Sequence, residues 1–276
     1  MCIRDRILQN AITNLVSFLD NIMVGQLGTE QMSGVAIVNQ LIFVYNLAIF
    51  GAVSAASIFG AQYFGNGDHR GHMHSFRFKL YATLLVSGLT MLLLLTKGSD
   101  LISLYLTDTA GNGATDVALQ YGKQYLVIML VGLVPFAVNQ AYATNIKETG
   151  QTLVPMLASF VAVGTNAVLD YLLIFGVGPF PELGVTGAAL ATVIARYVEA
   201  VIVVFWAHRN REKNRYLEGA YRGFGIPVSE LKTVLIKGLP LMFNEVLWAA
   251  GMTTVTQCYS CLLYTSPSPR DRTRSR

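Results

Sequence analysis

The sequence predicts an all-α, polytopic membrane helix bundle, and three observations favour this fold class. Of the 276 residues, 53% are hydrophobic and only 13% are charged, whereas soluble domains carry about 25% charged residues. The mean hydropathy is +0.47. The apolar residues fall into blocks of roughly 20, the length of helix that crosses the hydrocarbon core of a bilayer. Strands of a membrane barrel would instead be about 10 residues long and would alternate in polarity.

Seven apolar blocks predict seven transmembrane helices, because lipid offers no partner to unpaired backbone groups. We place them at residues 7–27, 35–63, 76–96, 119–142, 152–177, 184–207 and 234–256. The second span is long enough to tilt strongly or to project from the bilayer. Pro135 permits a kink within the fourth span.

The basic residues of the predicted loops indicate which way the helices run, because cytoplasmic loops are enriched in Lys and Arg. The sixth loop, residues 208–233, holds six basic residues, and the second has Arg70, with Arg77 and Lys79 just beyond it. The first and fifth loops hold no Lys or Arg. We therefore expect a cytoplasmic N-terminus, with the even-numbered loops inside and the odd-numbered loops outside.

The two ends of the sequence differ in composition from the rest. Residues 1–6 and 261–276 together carry six Arg against two Asp, which accounts for the whole net charge of +4. The body is therefore neutral, and we expect no nucleic-acid partner. The basic Ser/Pro tail resembles translated sequencing-adapter read-through, so we expect both end segments to be non-native.

Five ionisable residues lie inside the predicted spans, where each costs at least about 2.5 kcal/mol at mid-membrane and usually faces a cavity or a partner. They are Asp20, Asp170, Arg196, Glu199 and Glu245. Arg196 and Glu199 are three positions apart on one helix, so we favour an intramembrane ion pair between them. Glu245, in the middle of the seventh span, is a possible second protonatable site.

Asp20 and Asp170 are predicted to lie at one depth in the outer half of the bilayer. The first and fifth spans both run outward, and each acid precedes the end of its span by seven residues, about 10 Å at 1.5 Å per residue. Two carboxylates at one level could share a proton or hold a cation, and Asn166 lies on the same helix face as Asp170. This pattern favours an ion-coupled transporter; the alternative is that the acids only bond to neighbouring helices.

Five segments resemble the multidrug and toxic compound extrusion (MATE) family, and the resemblance runs from about residue 7 to residue 259. They are residues 14–28 (NLVSFLDNIMVGQLG), 60–68 (GAQYFGNGD), 148–152 (ETGQT), 166–176 (NAVLDYLLIFG) and 187–192 (GAALAT). In order, they resemble the family's first helix, the end of its second, the turn before its fifth, the fifth helix itself and the sixth.

The resemblance implies twelve helices in two six-helix lobes. Residues 7–207 would then form the N-lobe, 208–233 the cytoplasmic loop between the lobes, and 234–260 the seventh helix, which begins the C-lobe. The chain would be an N-terminal fragment without helices eight to twelve.

The resemblance also implies export of drugs or other organic cations in exchange for Na⁺ or H⁺. The cation or proton site of the family matches Asp20, Asn166, Asp170 and Thr192, and Glu245 resembles an acid of the seventh helix. We expect a multi-pass protein of a prokaryotic plasma (inner) membrane, surrounded by membrane lipid and monomeric when full length. We expect no enzyme activity, no metal site and no cofactor other than the coupling ion.

Other functions stay open at this point. A flippase for lipid-linked oligosaccharides, from the same superfamily, would tend to have a cationic cavity, whereas the intramembrane charges here are mostly acidic. A membrane enzyme would need a polar catalytic cluster at a membrane face, and a scaffold would leave the matched depth of the two acids unexplained. Neither the substrate nor the choice between Na⁺ and H⁺ follows from the sequence.

Overall fold

The computed structural model describes residues 22–106, 114–176 and 181–221, together with isolated positions between 225 and 255. Every regular element within these residues is a helix, which confirms the all-α fold class. The helices are α1 (Thr29–Gly65), α2 (His69–Leu106), α3 (Ala114–Val131), α4 (Leu133–Glu148), α5 (Leu153–Phe175) and α6 (Val185–Arg209), followed by a 3₁₀ turn at Arg215–Leu217.

The described helices account for the second to sixth predicted spans. α1, α2, α5 and α6 are each long and apolar enough to cross a membrane, and the bent pair α3–α4 would be a fifth span. The first and seventh predicted spans lie largely outside the described residues. The predicted domain boundaries therefore stay predictions.

α1 and α2 are longer than predicted. They contain 37 and 38 residues, so each extends about 55 Å at 1.5 Å per residue, well beyond a hydrocarbon core of about 30 Å. The second loop, predicted at residues 64–75, is reduced to a short turn. There the Asp68 carboxylate accepts hydrogen bonds from the backbone N–H groups of Arg70 (3.1 Å) and Gly71 (3.0 Å), and so caps the first turn of α2.

The fourth span is broken at Gly132, where α3 and α4 bend by 43°. Pro135 has no N–H, so the carbonyl group of Val131 loses its helical partner at this point. Side chains from two other helices bond the neighbouring carbonyl groups. The Tyr45 hydroxyl donates to the Leu133 oxygen at 2.8 Å, and Arg196 Nη1 donates to the Gly132 oxygen at 3.4 Å.

Described residues beside the second and sixth loops meet at one end of the bundle, and described residues beside the first and fifth loops meet at the other end. At one end, Arg77 of α2 donates to the backbone oxygens of Gly219 and Ala220 in the segment after α6. At the other end, Leu27 adjoins Gly184, which precedes α6. This arrangement agrees with the predicted alternation of the loops and does not depend on which end faces the cytoplasm.

α5 and α6 form an antiparallel pair that depends on glycine. Gly176 ends α5 with a left-handed φ of 63°, which glycine adopts at no steric cost. Gly187 lies so close to α5 that a Cβ atom built on it would be 2.6 Å from the Leu173 oxygen. The missing side chain therefore allows the two backbones to approach, and this approach sets the register of α5 against α6.

We predict that Gly187→Ala destabilises the protein by about 1–3 kcal/mol, because the new methyl group would overlap the Leu173 carbonyl group. The measurement is the thermal midpoint of the full-length protein in detergent. Gly164→Ala, on the facing helix α5, is the matched control, since a Cβ atom there meets nothing within 4 Å and alanine favours helix over glycine. Equal midpoints for the two variants would contradict the proposed constraint.

Candidate functional site

Asp170 lies on the face of α5 that packs into the bundle. The buried residues of this helix follow one helical stripe and are Pro155, Ala158, Ala162, Asp170, Leu173 and Ile174. Asp170 is the only charged residue of α5, and it is 1% exposed. Since burial of a carboxylate is costly and intramembrane acids mark ion pathways, this residue is the centre of the candidate site.

Asn166 lies on the same face of α5 as Asp170 and meets Thr192 of α6. Asn166 is one helical turn before Asp170, and its Nδ2 atom lies 3.5 Å from the Thr192 hydroxyl oxygen. That hydroxyl donates its own hydrogen to the Ala188 carbonyl group at 3.0 Å, so a lone pair is left to accept from Asn166. The arrangement combines a carboxylate, an amide and a hydroxyl group, whose oxygen atoms suit a hard cation.

Two predicted site residues lie outside the described part of the chain. They are Asp20, the expected partner of Asp170, and Glu245, the possible second protonatable group. Their roles stay predictions. Among the described residues, no group of three His, Cys, Asp or Glu side chains could hold a metal ion.

Arg196 and Glu199, both within the described residues, do not form the predicted ion pair with each other. The Arg196 guanidinium turns towards α4, where it bonds the Gly132 oxygen and lies 5.2 Å from the centre of the Phe136 ring. Glu199 accepts a hydrogen bond of 2.6 Å from the Ser159 hydroxyl on α5. The spacing of the two residues allows a pair, but the broken span offers Arg196 a carbonyl group and an aromatic face instead.

A buried ion pair that was not predicted from the sequence joins α2 to α4. Lys79 is 0% exposed; it pairs with Glu148 and donates to Asn145 Oδ1 at 2.5 Å. His72 Nε2 lies 3.3 Å from the second oxygen of Glu148. Gly60 of α1 leaves the space for this carboxylate, since a Cβ atom there would overlap it.

Lys79 and Arg77 are among the basic residues from which we predict the orientation of the helices. Both are buried in α2 and bond to other groups of the protein. The sequence does carry a sign that this face of α2 is buried, because polar residues recur along the helix at helical spacing. They are His72, Ser75, Lys79, Thr83 and Ser87. Such a stripe predicts contact with other helices, although the partners, which are distant along the chain, cannot be read from it.

The segment after α6 is docked on α2 instead of forming an open loop. All three donor nitrogens of Arg77 bond backbone oxygens of this segment, at Gly219 (2.6 Å), Ala220 (2.8 Å) and Gly225 (3.1 Å). The Tyr216 ring packs edge-on against His72, with 5.0 Å between the ring centres. Burial, and then the negative charge of Glu148, raises the pKa of the Tyr216 hydroxyl above its ordinary value, so this phenol is neutral.

Comparison with known proteins gives one family. Residues 6–172 match the MatE family model. A protein of Thermotoga maritima named "Probable multidrug resistance protein NorM" is 26% identical over 246 residues, which cover 88% of this chain and 50% of the relative. A Rhizobium meliloti protein of the same name is 30% identical over 204 residues, which cover 73% of this chain and 41% of the relative. The chain spans about half the length of the curated relatives it matches.

A further relative and two solved structures are also similar to this chain. A Shewanella oneidensis protein named "FAD transporter" is 26% identical over 179 residues, covering 65% of this chain and 38% of the relative. An outward-facing MATE family multidrug resistance transporter of the MOP superfamily has a TM-score of 0.75 at 22% identity, covering 90% of this chain and 52% of that structure. An inward-facing one has a TM-score of 0.71 at 23% identity, with coverages of 86% and 51%. These likenesses support the fold.

We predict that Lys79→Met destabilises the protein by about 3–5 kcal/mol, because Glu148 would be left buried without a compensating charge. The double variant Lys79→Met/Glu148→Gln should recover most of this loss, since it buries no net charge. Thermal denaturation of the full-length protein measures both. Lys97→Met is the control: its partner Asp100 is 72% exposed, and an exposed pair contributes little. A loss as small for Lys79→Met as for Lys97→Met would refute the structural role of the buried pair.

Proposed function

Since this chain belongs to the MatE family, we propose that it forms the N-terminal half of a secondary active antiporter that exports drugs or other organic cations in exchange for Na⁺ or H⁺. One observation carries the ion-coupling part of this proposal: α5 buries Asp170 in the bundle and presents Asn166, one turn away, to Thr192 of α6. The relatives named as multidrug resistance proteins support the assignment of the cargo.

In the proposed site, Asp20, Asn166, Asp170 and Thr192 hold the coupling ion. Entry of one Na⁺ or one proton offsets one of the two negative charges of the carboxylates, and a site with less net charge is less costly to bury. The packing of α5 against α6 therefore differs between the loaded and the empty site. An ion shifts the transporter between its states only to the extent that it binds one of them more tightly, and this difference would lower substrate affinity on the external side.

We also propose that the protein lies in a prokaryotic inner membrane with the N-terminus in the cytoplasm. The end of the bundle that carries Arg77 and the segment after α6 would then be cytoplasmic. The six basic residues between positions 208 and 233 support this orientation, because short cytoplasmic loops retain Lys and Arg. Buried Arg77 and Lys79 do not contribute to it, since both serve protein contacts.

We predict that Asp170→Asn abolishes ion-coupled export while the protein still inserts into the membrane. Asparagine keeps the size of the side chain but cannot change its charge with proton or Na⁺ binding. The measurement is efflux of ethidium from cells that express the full-length transporter, with an imposed Na⁺ gradient in one arm and a pH gradient in the other. The arm that drives wild-type efflux identifies the coupling ion.

Asp100→Asn is the matched control for this experiment, because Asp100 is 72% exposed at the end of α2. It should export ethidium at the wild-type rate under both gradients. Wild-type efflux by Asp170→Asn, at equal protein levels in the membrane, would rule out the proposed site.

We predict a smaller effect for Thr192. Thr192→Val removes the hydroxyl oxygen that faces Asn166, so the concentration of the driving ion at half-maximal efflux should rise roughly tenfold, the equivalent of about 1.4 kcal/mol of ion binding. Thr192→Ser keeps the hydroxyl and should stay close to wild type. Equal ion dependence for the valine and serine variants would remove Thr192 from the site.

A further inference from the structure

Two cavities meet at His208, where α6 leaves the apolar part of the bundle. One is polar, measures about 440 Å³, and is lined by His208, Arg211, Glu218 and Tyr221 among others. The second measures about 570 Å³ and is an apolar groove between α4 and α6 that also ends at His208. A ligand that fills both would therefore need a polar head joined to an apolar chain.

The polar cavity carries one fixed charge of each sign. Arg211 and Glu218 both line it, and these two side chains, both within the described residues, do not form an ion pair with each other. The His208 ring lines both the polar cavity and the groove. Its Nδ1 atom donates to the Val204 oxygen at 2.9 Å. Tyr221 stacks on this ring at 19°. The cavity therefore has a fixed aromatic wall and two charged groups that remain available to a ligand.

The apolar groove is open on the surface of the described bundle. Its walls are Val134, Pro135 and Val138 from α4, and Tyr197, Val201 and Phe205 from α6, among others. Val201 and Phe205 are 63% and 65% exposed. α6 has 25 residues, which extend about 37 Å, so this part of the helix lies within the roughly 30 Å hydrocarbon core. An acyl chain is the ligand that this environment supplies.

The predicted start of the second lobe adjoins another side of the bundle. Gly238, in the predicted seventh span, lies against Ala55 of α1. α1 packs on α2, α3 and α4, whereas α6 packs on α3, α4 and α5. The contact at Ala55 therefore places Gly238 on α1, which is not one of the two helices that form the groove.

We propose that this site binds one membrane phospholipid with a phosphoethanolamine headgroup. Arg211 holds the phosphate, Glu218 accepts hydrogen bonds from the primary ammonium group, and one acyl chain lies in the groove between α4 and α6. Charge complementarity selects the headgroup, because a net anionic lipid would face the carboxylate of Glu218. A choline headgroup carries no N–H donor for that carboxylate.

The test is native mass spectrometry of the full-length transporter with dioleoyl phosphatidylethanolamine, phosphatidylglycerol or phosphatidylcholine. The wild type should retain one phosphatidylethanolamine in preference to the other two lipids. Arg211→Gln should weaken its binding roughly fivefold, the contribution of one basic residue to a lipid headgroup. Glu218→Gln should reverse the preference towards phosphatidylglycerol, a change that a general loss of stability would not produce.

Two matched pairs of variants, one for the headgroup and one for the groove, distinguish this site from unspecific lipid binding. Arg209→Gln changes an exposed arginine that is outside the cavity, and it should leave the preference unchanged. Val201→Phe fills the groove and should weaken all three lipids, whereas Val168→Phe, at a 60% exposed position on α5, should weaken none. Equal losses for Arg209→Gln and Arg211→Gln, or full binding by Val201→Phe, would overturn the proposal.

A third outcome tests the other possible occupant of the groove. If Val201→Phe prevents the two lobes from assembling while Val168→Phe does not, the second lobe covers the groove and the lipid proposal fails. Lipid binding is measured without ion gradients or substrate. Its failure therefore leaves the proposed antiport untouched, and a failure of antiport leaves the lipid site untouched.

Discussion

Inside a membrane, polar groups need partners from the protein itself, and this constraint organises the described bundle. Its clearest effect is at the break between α3 and α4, where Pro135 prevents regular helical bonding. Tyr45 and Arg196 reach this break from two other helices and bond the carbonyl groups of Leu133 and Gly132. The kink is therefore a junction of four helices, and the Tyr45 hydroxyl also meets Ser87 of α2 there at 2.8 Å.

The same constraint explains why Arg196 and Glu199 separate. A direct pair would satisfy both charges on α6 but would leave the Gly132 oxygen without the Arg196 donor. In the structure, Arg196 serves the break, and Glu199 takes the hydroxyl of Ser159 on α5. Arg196 thus joins α6 to the break beside α4, and Glu199 joins α6 to α5. Among the described helices, α5 packs mainly on α6, so a change in charge at Asp170 would act on this helix pair.

The helix limits and site residues that depend on a local sequence pattern could be predicted. Apolar runs predicted α5 and α6 to within two residues at their described ends, because both helices begin and end near the limits of the apolar segment. The limits of the apolar run gave the wrong ends for α2, because the helix continues into polar residues. Its first turns are helical because Asp68 caps them and their polar side chains bond to other parts of the protein. Asn166 and Asp170 follow from helical period, whereas Thr192 came only from the family resemblance. The pair of Lys79 and Glu148 joins residues 69 positions apart, and no local pattern specifies such a partner.

The two buried acids, Glu148 and Asp170, differ in what their neighbours allow them to do. Glu148 pairs with Lys79, which is also buried, so its carboxylate has a basic partner within the protein. Such a pair is suited to holding helices together and is poorly suited to loading and releasing a cation. Asp170 lies one helical turn from Asn166, whose amide faces the Thr192 hydroxyl across the interface with α6, and these two groups supply further oxygen atoms. A coupling site must bind and release a cation in each cycle, and the oxygen atoms of Asn166 and Thr192 near Asp170 suit that role.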